Sequence, residues 1–102
     1  MKNEKIYSPN EIAAILQPVF ERNKVHRVTL FGSFAKGKAT KYSDIDLCIK
    51  SDLIGLDFYG LKFEIEDEIK KEIDVIEERE IVKPSPIMSE IENFGVLIYE
   101  RT

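Results

Sequence analysis

The chain has one cysteine, one histidine and no apolar run near the length of a membrane span. With Cys48 alone no internal disulfide can form, and His26 has neither a second histidine nor a cluster of cysteines with which to build a zinc site. The opening residues, Met1-Lys2-Asn3-Glu4-Lys5-Ile6, lack the apolar stretch of a secretory signal, so a cytoplasmic location is expected. Internal repeats, low-complexity tracts and Gly/Ser linkers are also missing. At 102 residues the chain is long enough for one core and too short for a catalytic domain plus a separate recognition domain. One domain over residues 1–102 is therefore expected, with any second substrate bound on its surface or brought by a partner.

Charge is plentiful and unevenly placed. The net charge is −4, but residues 1–50 carry nine Lys/Arg against five Asp/Glu, and residues 51–102 carry six against fourteen. The acidic second half argues against extended nucleic-acid binding, while Lys36, Lys38 and Lys41 cluster where a small anionic ligand would need them.

Periodicity divides the chain into alternating helices and strands. Ser8-Pro9-Asn10-Glu11 has the form of a capping box with proline at the first helical position, and Ile12, Ile15, Leu16, Val19 and Phe20 follow at helical spacing. That helix is expected to reach about residue 22, with a kink or early end at Pro18. Val25 to Phe31 reads as a strand that stops at Gly32. Asp44 to Ile49 alternates with period two, placing Ile45, Leu47 and Ile49 on one face and Asp44, Asp46 and Cys48 on the other. Leu56 to Lys71 is an amphipathic helix carrying Phe58, Leu61, Ile65 and Ile69, and Ile73 to Ile76 is a third strand that includes Asp74. Residues 87–93 form a short helix, and Val96 to Tyr99 fits strand or helix. The aromatic residues Phe58, Tyr59, Phe94 and Tyr99 are expected in the core. The fold class is α/β (α+β), a small mixed sheet flanked by helices.

Between Leu30 and Leu47 lie a Gly-Ser turn, ten residues, and two aspartates one residue apart. Gly32 lets backbone approach a phosphate and Ser33 adds a hydroxyl where a short helix begins, with Gly37 at its end. Asp44 and Asp46 offer the hard oxygens that Mg²⁺ prefers, and side chains two apart on a strand can serve two ions roughly 3.5–4 Å apart. Two aspartates do not complete such a shell, so a third acid on a neighbouring strand is required, and Asp74 meets that requirement.

The blocks Leu30-Phe31-Gly32-Ser33-Phe34-Ala35-Lys36-Gly37, Ser43-Asp44-Ile45-Asp46-Leu47 and Ile73-Asp74-Val75 resemble, in order and spacing, the DNA polymerase β-type nucleotidyltransferase superfamily. The resemblance is closest to the minimal nucleotidyltransferase (MNT) family. It implies that Asp44, Asp46 and Asp74 bind two Mg²⁺ ions, with Asp74 as general base, and that Gly32, Ser33, Lys36 and Ser43 bind ATP. Lys36 stands where many relatives have Arg, which keeps the charge and loses the bidentate grip on phosphate. The resemblance further implies an antitoxin that transfers AMP from ATP to a hydroxyl, such as a tyrosine, of a partner HEPN-domain toxin, in a hetero-oligomer. Two alternatives remain open: a nucleotide-binding antitoxin that neutralises its partner by stoichiometric masking, and a transferase with a small-molecule acceptor.

Overall fold

Asn3 to Arg101 are the residues described by a computed structural model of the chain. In chain order they form α1 (Pro9–Glu21), β1 (Val25–Phe31), α2 (Gly32–Ala35), β2 (Ile45–Ser51), α3 (Leu56–Ile69), β3 (Ile73–Glu77), a 3₁₀ turn (Glu78–Glu80), α4 (Pro86–Phe94) and β4 (Val96–Glu100). The strands make one sheet in the order β3-β2-β1-β4, antiparallel except for the parallel β2–β3 pair. A parallel pair needs a crossover connection, and α3 supplies it. The result is the expected mixed sheet with flanking helices. Among the described residues no helix is long and apolar enough to cross a membrane.

Local chemistry accounts for the helix ends. Ser8 Oγ accepts from Glu11 N–H at 3.1 Å while Ser8 N–H donates to Glu11 Oε1 at 2.9 Å, completing the capping box that starts α1. Pro18 neither ends nor truncates that helix, which runs to Glu21. Its ring faces solvent, so its cost is one lost backbone bond, and the neighbouring Val19 and Phe20 are fully buried in compensation. Arg101 then closes this end of the molecule, its guanidinium donating to the carbonyls of Phe20, Glu21, Asn23 and Val25 at 2.9–3.1 Å. α3 stops at Ile69, short of the expected Lys71, because Lys70 turns left-handed with φ 59° and caps it through an N–H bond to Glu66.

One face of the sheet holds the core. Ile12, Leu16, Val19 and Phe20 of α1 and Phe58, Leu61, Ile65 and Ile69 of α3 pack against Val28, Leu30, Ile45, Leu47 and Ile49. Each such side chain contributes roughly 1.5–3 kcal/mol by leaving water, which holds β2 in a single register. That register turns Asp46 to the opposite face, where α4 packs against β1 and α2. Phe58 and Tyr99 join the core as expected, with Tyr99 tilted against Phe20 at a centroid distance of 5.3 Å. Tyr59 and Phe94 do not: both are exposed, Tyr59 lying off the buried stripe of α3. The segment left open between strand and helix is β4, paired with β1.

Candidate active site

β1 delivers the chain to the site and ends at Phe31, which pairs with Asp46 across the antiparallel ladder. Gly32 follows with φ +74°, a left-handed conformation that an L side chain resists, and opens α2. A Cβ on Gly32 would run into the Asp46 carboxylate. The turn backbone therefore lies directly against that acid. Within α2 the first N–H groups have no helical acceptor, as at any helix start, and Gly37 with φ +70° ends the motif as expected.

The parallel ladder sets Asp46 beside Asp74, so both carboxylates leave the same face. Asp44 corrects the sequence reading. It was expected on the strand, but β2 begins at Ile45, whose N–H donates to Glu72 C=O at 3.0 Å. Asp44 belongs to the preceding loop, which a Thr40–Ser43 turn shapes; its charge still acts on Asp46. Burial, then the charges of Asp74 and Asp44, a hydrogen bond with Asp74 and the charge of Glu90 push the Asp46 carboxyl from its ordinary 3.8 up to about 6.

Among the described residues no group of three or more His, Cys, Asp or Glu side chains is gathered closely enough to hold a metal ion as it stands. The donor chemistry nevertheless fits a hard divalent cation: Asp46 is crowded by two further carboxylates, and a bound counter-charge would relieve that crowding.

Other expected ligands are differently engaged. Lys36 Nζ lies 2.5 Å from Glu90 Oε1 and 5.0 Å from the centre of the Phe94 ring, so it is held on α4. Ser43 Oγ accepts from Thr40 N–H at 2.9 Å within the turn, and Lys41 pairs with Glu4 at 3.8 Å. Ser33, half-buried, stays at the turn. Glu90 was not foreseen, nor was Lys62. With Phe31, Tyr59 and Ile87, Lys62 lines a cavity of about 400 Å³ that has Asp46 and Asp74 in its wall. Neither carries a local signal: Tyr59, one turn before Lys62 on α3, is expected in the core, and nothing local to Glu90 signals that α4 reaches the site. A cavity of about 540 Å³ lies elsewhere, beside Lys50, Glu77 and Arg79, and contains none of the three aspartates.

Raising the Asp46 pKa on folding means that the folded chain holds this proton more tightly than the unfolded one. The associated stability is complete below about pH 4 and is lost as pH rises through about 6. Asp46→Asn should therefore raise the thermal midpoint at about pH 7 in EDTA and lose that advantage near pH 4. Partial exposure screens the effect, leaving about 1–2 kcal/mol, or several degrees. Melting curves of both proteins across this range check it.

A four-stranded mixed sheet with a glycine turn closing over an aspartate at the end of its first strand defines an α/β nucleotidyltransferase fold. Comparison agrees: residues 10–102 match the family model described as Polymerase beta, Nucleotidyltransferase, and the chain belongs to that family. It is accordingly a nucleotidyltransferase. A Methanocaldococcus jannaschii protein, MJ0435, provisionally named a protein adenylyltransferase, is 35% identical over 69 residues, covering 66% of this chain and 74% of that protein. Solved structures share the fold. A toxin–antitoxin complex with AMP-PNP aligns at TM-score 0.72 and 18% identity over 88% of this chain and 74% of that one. A complex of a tri-AMPylated Shewanella oneidensis HEPN toxin with an MNT antitoxin aligns at TM-score 0.67 and 15% identity, covering 91% and 73%. A minimal nucleotidyltransferase, so named provisionally, aligns at TM-score 0.72 and 24% identity, covering 88% and 95%.

Proposed function

We propose that the chain, working in the cytoplasm as one minimal domain over residues 1–102, transfers AMP from ATP to a hydroxyl of a partner protein. The observation that carries this reading is the alignment of Asp46 with Asp74 across the parallel ladder, with the Asp46 carboxylate directly against the Gly32 turn. Such an arrangement sets a phosphate cradle against paired carboxylates, as phosphoryl transfer requires. Asp44, Asp46 and Asp74 would hold two Mg²⁺ ions, which when bound neutralise the triphosphate and ease ionisation of the acceptor.

The remaining work falls to the chain's own groups. Gly32 and Ser33 receive the triphosphate through backbone N–H groups and the serine hydroxyl. Lys36 exchanges its bond to Glu90 for one to phosphate, and Ser43 helps hold the nucleotide by fixing the loop that carries Asp44. Asp74, on the exposed rim, takes the acceptor proton as the acceptor oxygen bonds to the α-phosphorus and pyrophosphate leaves. The partner we infer is a HEPN-domain toxin carrying an acceptor tyrosine, which makes this chain an antitoxin. Support comes from the likeness to the MNT–HEPN complexes and to the M. jannaschii protein.

The experiment is direct: α-labelled ATP, Mg²⁺ and a HEPN toxin encoded beside this chain's gene are combined, and label on the toxin is followed. Magnesium-dependent label on a tyrosine is expected. A folded, associated pair that acquires none overturns the proposal.

A further inference from the structure

Large apolar side chains are exposed on both sides of the cavity that contains Asp46 and Asp74. On the α3 side, Leu56, Tyr59 and Phe63 are 87%, 58% and 66% exposed, and Tyr59 reaches the cavity wall. Across from them Ile87 is 43% exposed and Val82 73%. Ile87 and Ile76 belong to this cavity and also to an adjoining groove of about 360 Å³, which continues past Val82 and Pro86 to Glu80. The apolar surface is therefore continuous with the acid cluster. Scattered exposed hydrophobics are ordinary, but a contiguous set around the mouth of a site marks a binding face.

Charge restricts what can occupy it. Asp46 and Asp74 stand at one end of this surface and Glu80 at the other, with Lys62 the cation in the cavity wall. A nucleic-acid acceptor would leave the apolar groove unfilled and bring phosphate toward Glu80, while a small polar acceptor would leave the groove wet. A peptide segment with apolar residues beside its hydroxyl and cations farther out satisfies both the groove and its acidic far end at Glu80.

Building on the transferase reading, we propose that the Ile76–Val82–Ile87 groove is the acceptor-docking surface. It selects a protein segment in which the modified hydroxyl is flanked by apolar residues and then by Lys or Arg. The groove governs acceptor affinity and leaves the nucleotide untouched.

Three synthetic probes test this: acetyl-Lys-Lys-Leu-Tyr-Leu-Lys-Lys, its counterpart with Glu in place of Lys, and its counterpart with Ser in place of Leu. Label transfer from ATP to the first should exceed transfer to either other by about tenfold at low peptide concentration. Val82→Asp and Pro86→Asp, both at exposed groove positions, should raise KM for the first peptide about tenfold and leave kcat and the calorimetric Kd for ATP within about twofold. Equal labelling of the three peptides, or an unchanged KM in both variants, overturns the groove. Failure of the wild-type chain to bind ATP with Mg²⁺ overturns the transferase reading instead. If ATP binds but no peptide is labelled, fluorescence anisotropy with the first peptide decides: loss of binding in Val82→Asp supports the surface, and no binding to wild type rejects it.

Discussion

Exchanging Asp44 and Asp46 together for Asn should lower AMP transfer by about 10³-fold or more, because it removes two of the three carboxylates proposed to hold the divalent ions. The loss should be catalytic and not structural. Asp46 is destabilising when ionised without a counter-ion, so the double variant is expected to fold at least as well as the parent in EDTA and to keep binding its partner. Single-turnover label transfer, a melting curve and co-elution with the toxin separate these outcomes. A variant that transfers nothing yet fully neutralises the toxin at low expression would turn the reading toward masking. One that retains most of its transfer would remove these aspartates from the mechanism.

The second large effect falls on Gly32. Gly32→Ala combines a positive φ, which costs an L residue roughly 1–2 kcal/mol, with a methyl group forced into the Asp46 carboxylate. Asp46 must move, and the acids that crowd it resist. Stability should fall by about 2–3 kcal/mol and transfer by about 100-fold, as expected when a catalytic group is displaced by an ångström or so. Gly37→Ala is the matched control: its φ of +70° brings the same backbone penalty, but nothing stands within 4 Å of the added methyl. If the two variants lose transfer equally, the contact between the turn and Asp46 has no catalytic weight.

Much of this site was legible in the residues because its parts depend on local rules. The glycine at the end of a β-branched run, the period-two alternation after Asp44 and the Ser8–Glu11 box each follow from neighbours in sequence, and the structure has them. Asp74 was legible for a different reason. A short β-branched strand following a crossover helix has few places to dock, and its pairing with β2 aligns the two acids.

What escaped depends on tertiary placement. No periodicity tells that α4 swings Glu90 toward Lys36 and Asp46, or that the Asp44 backbone leaves the ladder one residue before Asp46's strand begins. Tyr59 and Phe94 misled because aromatic residues are usually buried, and here helix orientation leaves them on the surface. Lys36 shows the same limit from the other side: its charge was evident, its partner was not.

The crossover that joins the second and third strands has an evolutionary corollary. Strands slip only in whole residues, and a slip of one turns every side chain to the other face. The link from Ile69 to Ile73 is short, so losing or gaining a residue there would strain the pairing that sets Asp74 beside Asp46, whereas substitutions along the solvent side of the intervening helix would pass almost unnoticed. Inheritance in this stretch should thus tolerate changed spelling and reject changed length.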